Sequence, residues 1–342
     1  MSEGEFNSPH AHLGKLPCVL HPKLLNNPCN HMRFPLYSLL QSAASLSAFA
    51  AAWLAACVPA SAHGFAGNRF FPATLATDDP FVADELSLPT FQAIRQPGDQ
   101  PTKTFDLSTD IALKLTPNFG VEIGDGYQFQ KASGSNLRTG FDNLEVGAKY
   151  QFLVNAEHET ILSLGVDAEI GGTGSHAIGA DSFSTIVPGL FFGKGFGDLP
   201  DSLWILRPFA LTGQIGVSFP TTSNDGEEKV PNNLEWGLAL EYSLIYLQGY
   251  VKDVGLRPPF DRLIPLVEFP METPLNRGGT TTTGTINPGV IWSGKYFQIG
   301  VEAVIPINRQ TGNNVGVLAQ LHFYLDDLFP MLFRKPLLGD WP

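Results

Sequence analysis

Ten acidic residues in this chain fall where an extended backbone would hold them on one face: Asp106, Asp110, Glu122, Glu145, Asp167, Glu169, Glu235, Glu241, Glu268 and Glu302. Side chains two, four or six positions apart share one side of a strand. Asp106 and Asp110, Asp167 and Glu169, and Glu235 and Glu241 are spaced this way. Three permanent cations, Lys114, Lys149 and Arg262, fall on the same faces, as does the ionisable His322. Carboxylates ringing a narrow aqueous space attract cations and repel anions. The same charges, hydrogen-bonded to one another, can also fill the inside of a small barrel for stability alone. These residues support both uses equally.

Covalent chemistry has little support. A His with a carboxylate and a Ser could make a lipase triad, but no G-x-S-x-G is present. A lipid-cleaving barrel also needs its catalytic residues to face lipid, whereas His322 shares an inward face with Gln320 and Tyr324. The chain is therefore read as a non-enzyme with no catalytic residue. His63, His158 and His176 lack ligand spacing, so no metal site is expected. Gly171-Gly-Thr-Gly and Gly193-Lys-Gly-Phe-Gly are not followed by Lys-Ser/Thr on a helix, so neither is a phosphate loop and no cofactor is expected. Asp225-Gly-Glu-Glu228 reads as a solvated acidic turn.

The elements that must position these charges are strands. From Phe105 to Leu115 the odd positions are Phe, Leu, Thr, Ile, Leu and Leu, and the even ones Asp, Ser, Asp, Ala and Lys. Such alternation gives one apolar and one polar face. It recurs over 84–95, 103–116, 119–130, 140–154, 159–170, 183–195, 203–219, 233–248, 260–273, 283–293, 296–307 and 314–325. Ordinary strands run to about five or six residues, whereas a tilted membrane-spanning strand needs about 9–11. An open sheet in lipid would leave edge groups unpaired, so these twelve strands must close into an antiparallel transmembrane β-barrel. Aromatics cluster at the strand ends, with Phe119, Phe152, Trp204, Phe260, Trp292, Phe297 and Phe323 at one side and Phe105, Phe129, Phe219, Trp236 and Phe269 at the other. Two aromatic girdles are expected of such barrels. Short turns at Pro117-Asn118, 155–158 and 293–295 are expected in the periplasm. Longer links at 131–139, 171–182, 220–232, 274–282 and 308–313 are expected outside the cell.

The remaining segments are read from composition. The chain has 342 residues with 21 Lys+Arg, 33 Asp+Glu and a net charge of −12, which excludes a nucleic-acid binder held by a basic surface. Residues 32–62 look like a secretory signal peptide ending in Ala60-Ser61-Ala62, and 1–31 like a non-native upstream extension. Leu54-Ala-Ala-Cys57 leaves a lipoprotein route open. Cys18, Cys29 and Cys57 all precede residue 63, so a chain cleaved there carries no cysteine. Residues 63–83 do not alternate and could plug the barrel or lie at its periplasmic mouth; 326–342 form a periplasmic tail. The last strand, ending at Phe323, resembles the signal that the barrel-assembly machinery reads, although the chain continues beyond it.

Gly140-Phe-Asp-Asn-Leu-Glu-Val-Gly-Ala-Lys-Tyr150, Gly193-Lys-Gly-Phe-Gly-Asp198 and Gly284-Thr-Ile-Asn-Pro-Gly289, followed by paired amphipathic strands, resemble proteobacterial outer-membrane barrels of the phenol-degradation (meta-pathway) and transporter type. The resemblance covers 84–325. It implies residence in the cell outer membrane, contact with outer-membrane lipids and lipopolysaccharide, and passage of aromatic compounds, but no catalytic residues. A narrow channel for small molecules is the leading expectation. Its rivals are a closed structural barrel, a lipid-acting barrel enzyme and a secreted β-sandwich.

Overall fold

The computed structural model describes residues 64–96, 102–226, 228–277, 279–333 and 335–339. The expectations for the leader, the upstream extension, the three cysteines and His63 lie outside these residues. Twelve strands alternate along the described chain: β1 (Glu85–Gln96), β2 (Thr102–Thr116), β3 (Phe119–Ala132), β4 (Arg138–Phe141 and Leu144–Asn155), β5 (Thr160–Ile170) and β6 (Thr185–Gly195). They continue as β7 (Phe209–Pro220), β8 (Asn233–Tyr242), β9 (Leu263–Pro274), β10 (Thr283–Ser293), β11 (Phe297–Pro306) and β12 (Gly316–Tyr324). Each pairs antiparallel with its sequence neighbours, and β12 returns to β1 with Val317 opposite Ala93 and Tyr324 opposite Glu85. The result is a closed barrel with no free edge, as the alternation requires. Among the described residues no helix is long and apolar enough to cross a membrane.

The wall obeys the parity read from sequence. On the outer face Leu164, Leu190 and Ile215 sit side by side across β5, β6 and β7, all exposed. Inward positions hold buried polar groups such as Ser163, Thr212, Gln298 and Glu302.

Three expected strands start or stop elsewhere, each at proline or a capping residue. The segment expected to open β7 at 203 is instead a 3-10 turn, Asp201–Leu206, lying between Pro200 and Pro208. Proline supplies no N–H to a ladder, so pairing starts only at Phe209. β8 stops at Tyr242 because the Ser243 hydroxyl accepts the Tyr246 N–H at 3.1 Å and caps a helical turn, Leu244–Tyr246. Pro258 and Pro259 delay β9, and Phe260–Arg262 form another 3-10 turn. Trp204 and Phe260 therefore do not sit on strand ends, and Arg262 is not on a strand. The connections at this base end, 196–208 and 243–262, are long, contrary to the short turns usual there.

Residues 64–84 run inside the barrel. Three successive N–H groups, of Leu75, Ala76 and Thr77, donate to the Glu268 carboxylate at 2.8, 2.9 and 2.7 Å, and the Thr77 hydroxyl adds a fourth bond at 2.9 Å. Asp78 N–H donates to Gln214 Oε1 at 2.7 Å, and Gln298 donates to Ala73 O at 2.6 Å. Lys149 donates to Asp79 O at 2.8 Å, and Ser163 Oγ donates to Pro80 O. These backbone groups thus find partners on five strands, β4, β5, β7, β9 and β11, where an ordinary strand would use a ladder. Apolar packing completes the seat: Phe71, Ala73, Phe81 and Ala83 bury with Ile161 and Ala210. Two inward glycines make room for it. A Cβ on Gly300 would lie 2.5 Å from Leu75 Cδ1, and one on Gly237 2.7 Å from Thr77 Cγ2.

The described part of the tail forms the short helices Leu325–Leu328 and Pro330–Phe333, after which Leu337 and Leu338 N–H donate to Lys114 O and Leu115 O at the end of β2. The orientation expected from sequence, with the short turns in the periplasm, has a direct check. Cysteine at exposed Ser223, in the β7–β8 loop, is expected to react with an impermeant maleimide on intact cells. Cysteine at exposed Ala156, in the β4–β5 turn, is expected to react only after the outer membrane is breached. The reverse pattern would invert the barrel.

Candidate functional site

The segment divides the interior. A cavity of about 440 Å³ lies against its inner side and is lined by Asp106, Asp110, Glu122, Glu145, Lys149, Asp167 and His322. An adjoining space of about 290 Å³ adds Glu169 and Glu235. Nine of the fourteen residues singled out by parity thus share one chamber. The period-2 pattern alone put them on one face, because inward positions of neighbouring strands must converge in a closed barrel.

The other five lie elsewhere. Glu241, Glu268 and Glu302 are inward but buried. Glu268 is the acceptor that holds the segment. Glu241 receives the Thr212 hydroxyl at 3.3 Å. Lys114 is drawn to the base, 3.3 Å from Asp84 and 3.6 Å from Asp326. Arg262 occupies the turn before β9 instead of a wall position, since the two prolines postpone that strand. Of the three permanent cations expected in the lumen, only Lys149 enters the chamber. Its ammonium bonds the segment at Asp79 O and lies 4.5 Å from the Phe191 ring centroid.

Sequence reasoning missed the acids that the segment itself brings. Asp78 and Asp79 line the main cavity, joined by Asp142 from the upper wall. The adjacent Asp78-Asp79 pair within an aromatic, non-alternating stretch was the available signal. The loop between β5 and β6 also folds inward. Ile178 O accepts Gln130 Nε2 at 2.8 Å, and Asp181 O accepts Asn143 Nδ2 at 2.9 Å, so this loop narrows the outer end beside β3 and β4.

A buried latch fixes the start of the segment at the base. Arg69 Nε meets Glu159 Oε2 at 3.1 Å, and its other nitrogens donate to Pro208 O at 3.0 Å and Arg207 O at 2.5 Å. The guanidinium stacks 3.6 Å from the Tyr246 ring centroid, and Tyr246 donates to Glu159 Oε1 at 2.6 Å. Burial, with the hydrogen bond to Glu159, pushes the Tyr246 phenol up to about 12, so it remains a donor. Nothing in the sequence pattern marked Arg69 or Glu159, whose partners lie far apart in the chain.

Ser87 Oγ and His322 Nδ1 lie 2.9 Å apart, and His322 Nε2 is 3.3 Å from Glu85 Oε2. These groups resemble a nucleophile, base and carboxylate in order. They face the lumen and are buried at the seam where β12 meets β1, away from lipid. Across that seam they act as a polar clasp. Among the described residues no group of three or more His, Cys, Asp or Glu side chains could hold a metal ion.

No family model and no curated protein matches the chain. Solved structures share the barrel. An outer-membrane channel from Pseudomonas putida F1 matches at 12% identity over 75% of this chain and 99% of that one, with a TM-score of 0.48. The KdgM porin matches at 12% over 70% and 98%, with a TM-score of 0.40. Outer membrane phospholipase A from Escherichia coli matches at 10% over 75% and 93%, with a TM-score of 0.40. Values this low carry no information on solute or activity. The closed wall and its apolar outer face make the chain an outer-membrane β-barrel.

Proposed function

We propose that this barrel is a narrow, gated channel for small solutes, without enzymatic activity, that favours neutral or cationic molecules over anions. One observation carries the reading: an acidic chamber with a single lysine is bounded by a segment that side-chain hydrogen bonds hold to the wall. The family resemblance adds aromatic compounds as candidate solutes. Outer-membrane phospholipid, lipopolysaccharide and the barrel-assembly machinery are the expected partners. The rival is a closed structural barrel, favoured by how completely the segment fills the base.

Planar bilayers separate the two. The wild type is expected to give small conductance steps and a reversal potential of cation-preferring sign. A carboxylate about 4 Å from a passing cation contributes about 1 kcal/mol even in water, roughly fivefold in occupancy. Glu145→Gln with Asp167→Asn should therefore weaken the cation preference without changing heat-modifiable gel mobility. If neither the wild type nor variants with a loosened segment conduct, the closed structural barrel is the better account.

A further inference from the structure

At the base, two connections turn apolar side chains outward. Every residue of the 3-10 turn Asp201–Leu206 is exposed, including Leu203, Trp204 and Leu206, with Ile205 at 56%. In the β8–β9 connection Tyr250 and Val254 are exposed, and Phe260 reaches 61%. The two connections meet where Lys252 Nζ lies 4.8 Å from the Trp204 ring centroid. A soluble surface rarely leaves such a contiguous apolar patch in water.

The patch continues the lipid-facing wall. Phe209 and Tyr242 pair directly at the base of β7 and β8, on the face opposite buried Ala210 and Glu241. Their rings meet edge-on at 4.7 Å, and Leu240 follows them up the outer face of β8. Charges at the fringe are mixed. Arg207 bridges Asp201 at 2.8 Å, and across the two connections Arg207, Lys252, Arg257 and Arg262 stand against Asp198, Asp201, Asp253 and Asp261.

We propose that the β6–β7 and β8–β9 connections form an interfacial foot seated in the phospholipid leaflet on the periplasmic side. Trp and Tyr prefer this depth, where an apolar body and a polar edge are both satisfied. The Lys252 stem lies along the foot while its ammonium reaches the headgroups. Because the fringe charges nearly balance, apolar burial drives the seating. Anionic lipid and salt should matter little. The inference depends on membrane residence and is independent of whether the barrel conducts.

The test uses the full-length protein in phosphatidylcholine vesicles, with iodide present on both sides. The Trp204 signal is taken as the difference between wild type and Trp204→Phe. With lipid brominated high on the acyl chain, that signal should fall by roughly half or more, the depth of an interfacial helix being about 5–10 Å. Iodide should quench it weakly. Replacing a third of the lipid with phosphatidylglycerol should leave both results unchanged. Iodide quenching with no effect of bromolipid would overturn the proposal and leave the patch to a periplasmic protein. Should Trp204→Phe perturb folding, a fluorophore on Ile205→Cys gives the same two readings.

Discussion

Glu268→Ala will raise single-channel conductance several-fold while the barrel still folds. This carboxylate accepts three backbone N–H groups and one hydroxyl from residues 75–77. A hydrogen bond to a charged group contributes about 1.5–3 kcal/mol, and a buried donor left without a partner costs about 1–3 kcal/mol. Three orphaned amides thus cost roughly 3–9 kcal/mol, which the segment escapes by leaving its seat and meeting water. The wall keeps its ladder, since β9 pairs with β8 and β10 through backbone bonds that the substitution leaves in place. Faster hydrogen exchange of residues 72–80 should accompany the larger conductance. Gly300→Ala tests the same event without touching a polar group, since its new methyl occupies the space of Leu75. If both variants release the segment and conductance stays at the wild-type level, the segment does not occlude the path.

Ile215→Arg is expected to give the largest loss of folded barrel. Ile215 lies midway along β7, is 47% exposed, and has Leu190 and Trp236 as its cross-strand neighbours. Arginine on the lipid face costs about 2–4 kcal/mol at the midplane and about 0–1 kcal/mol near an interface. Leu240→Arg should be milder, since Leu240 is 39% exposed but only two residues from the base end of β8. Glu241→Gln, at 1% exposure on the inner face, should fold. Densitometry of the heat-modifiable band reads all three. Wild-type yield for Ile215→Arg together with loss for Glu241→Gln would mean that inner and outer faces are exchanged.

Alternation made most of the wall legible. The wall must bury one side in lipid and the other in polar packing, so every strand repeats the same two-residue instruction, and closure follows from the cost of an edge. Depth along the strand left no such trace. Whether an inward acid lines the chamber, as Glu145 does, or anchors the segment, as Glu268 does, depends on what lies opposite it in space. Arg262 shows the limit of parity counting: a strand begun at Phe260 assigns a face to a residue that is coiled in the turn after Pro258 and Pro259. Residues 64–84 stayed undecided between plug and periplasmic mouth for a related reason. A segment bonded to five different strands has no period of its own.

That distribution of anchors also sets an order of events. The first described stretch of the chain finds its partners up to Gln298, 225 positions along the sequence. Glu268, Gln298 and the Gly300 recess do not exist as a surface until β9 to β11 are in place. Contacts of such sequence separation form late, since their loop closure must be prepaid. A stretch synthesised before the strands that hold it is therefore late to settle. Docking of residues 64–84 thus requires β9 to β11, which carry Glu268, Gln298 and the Gly300 recess.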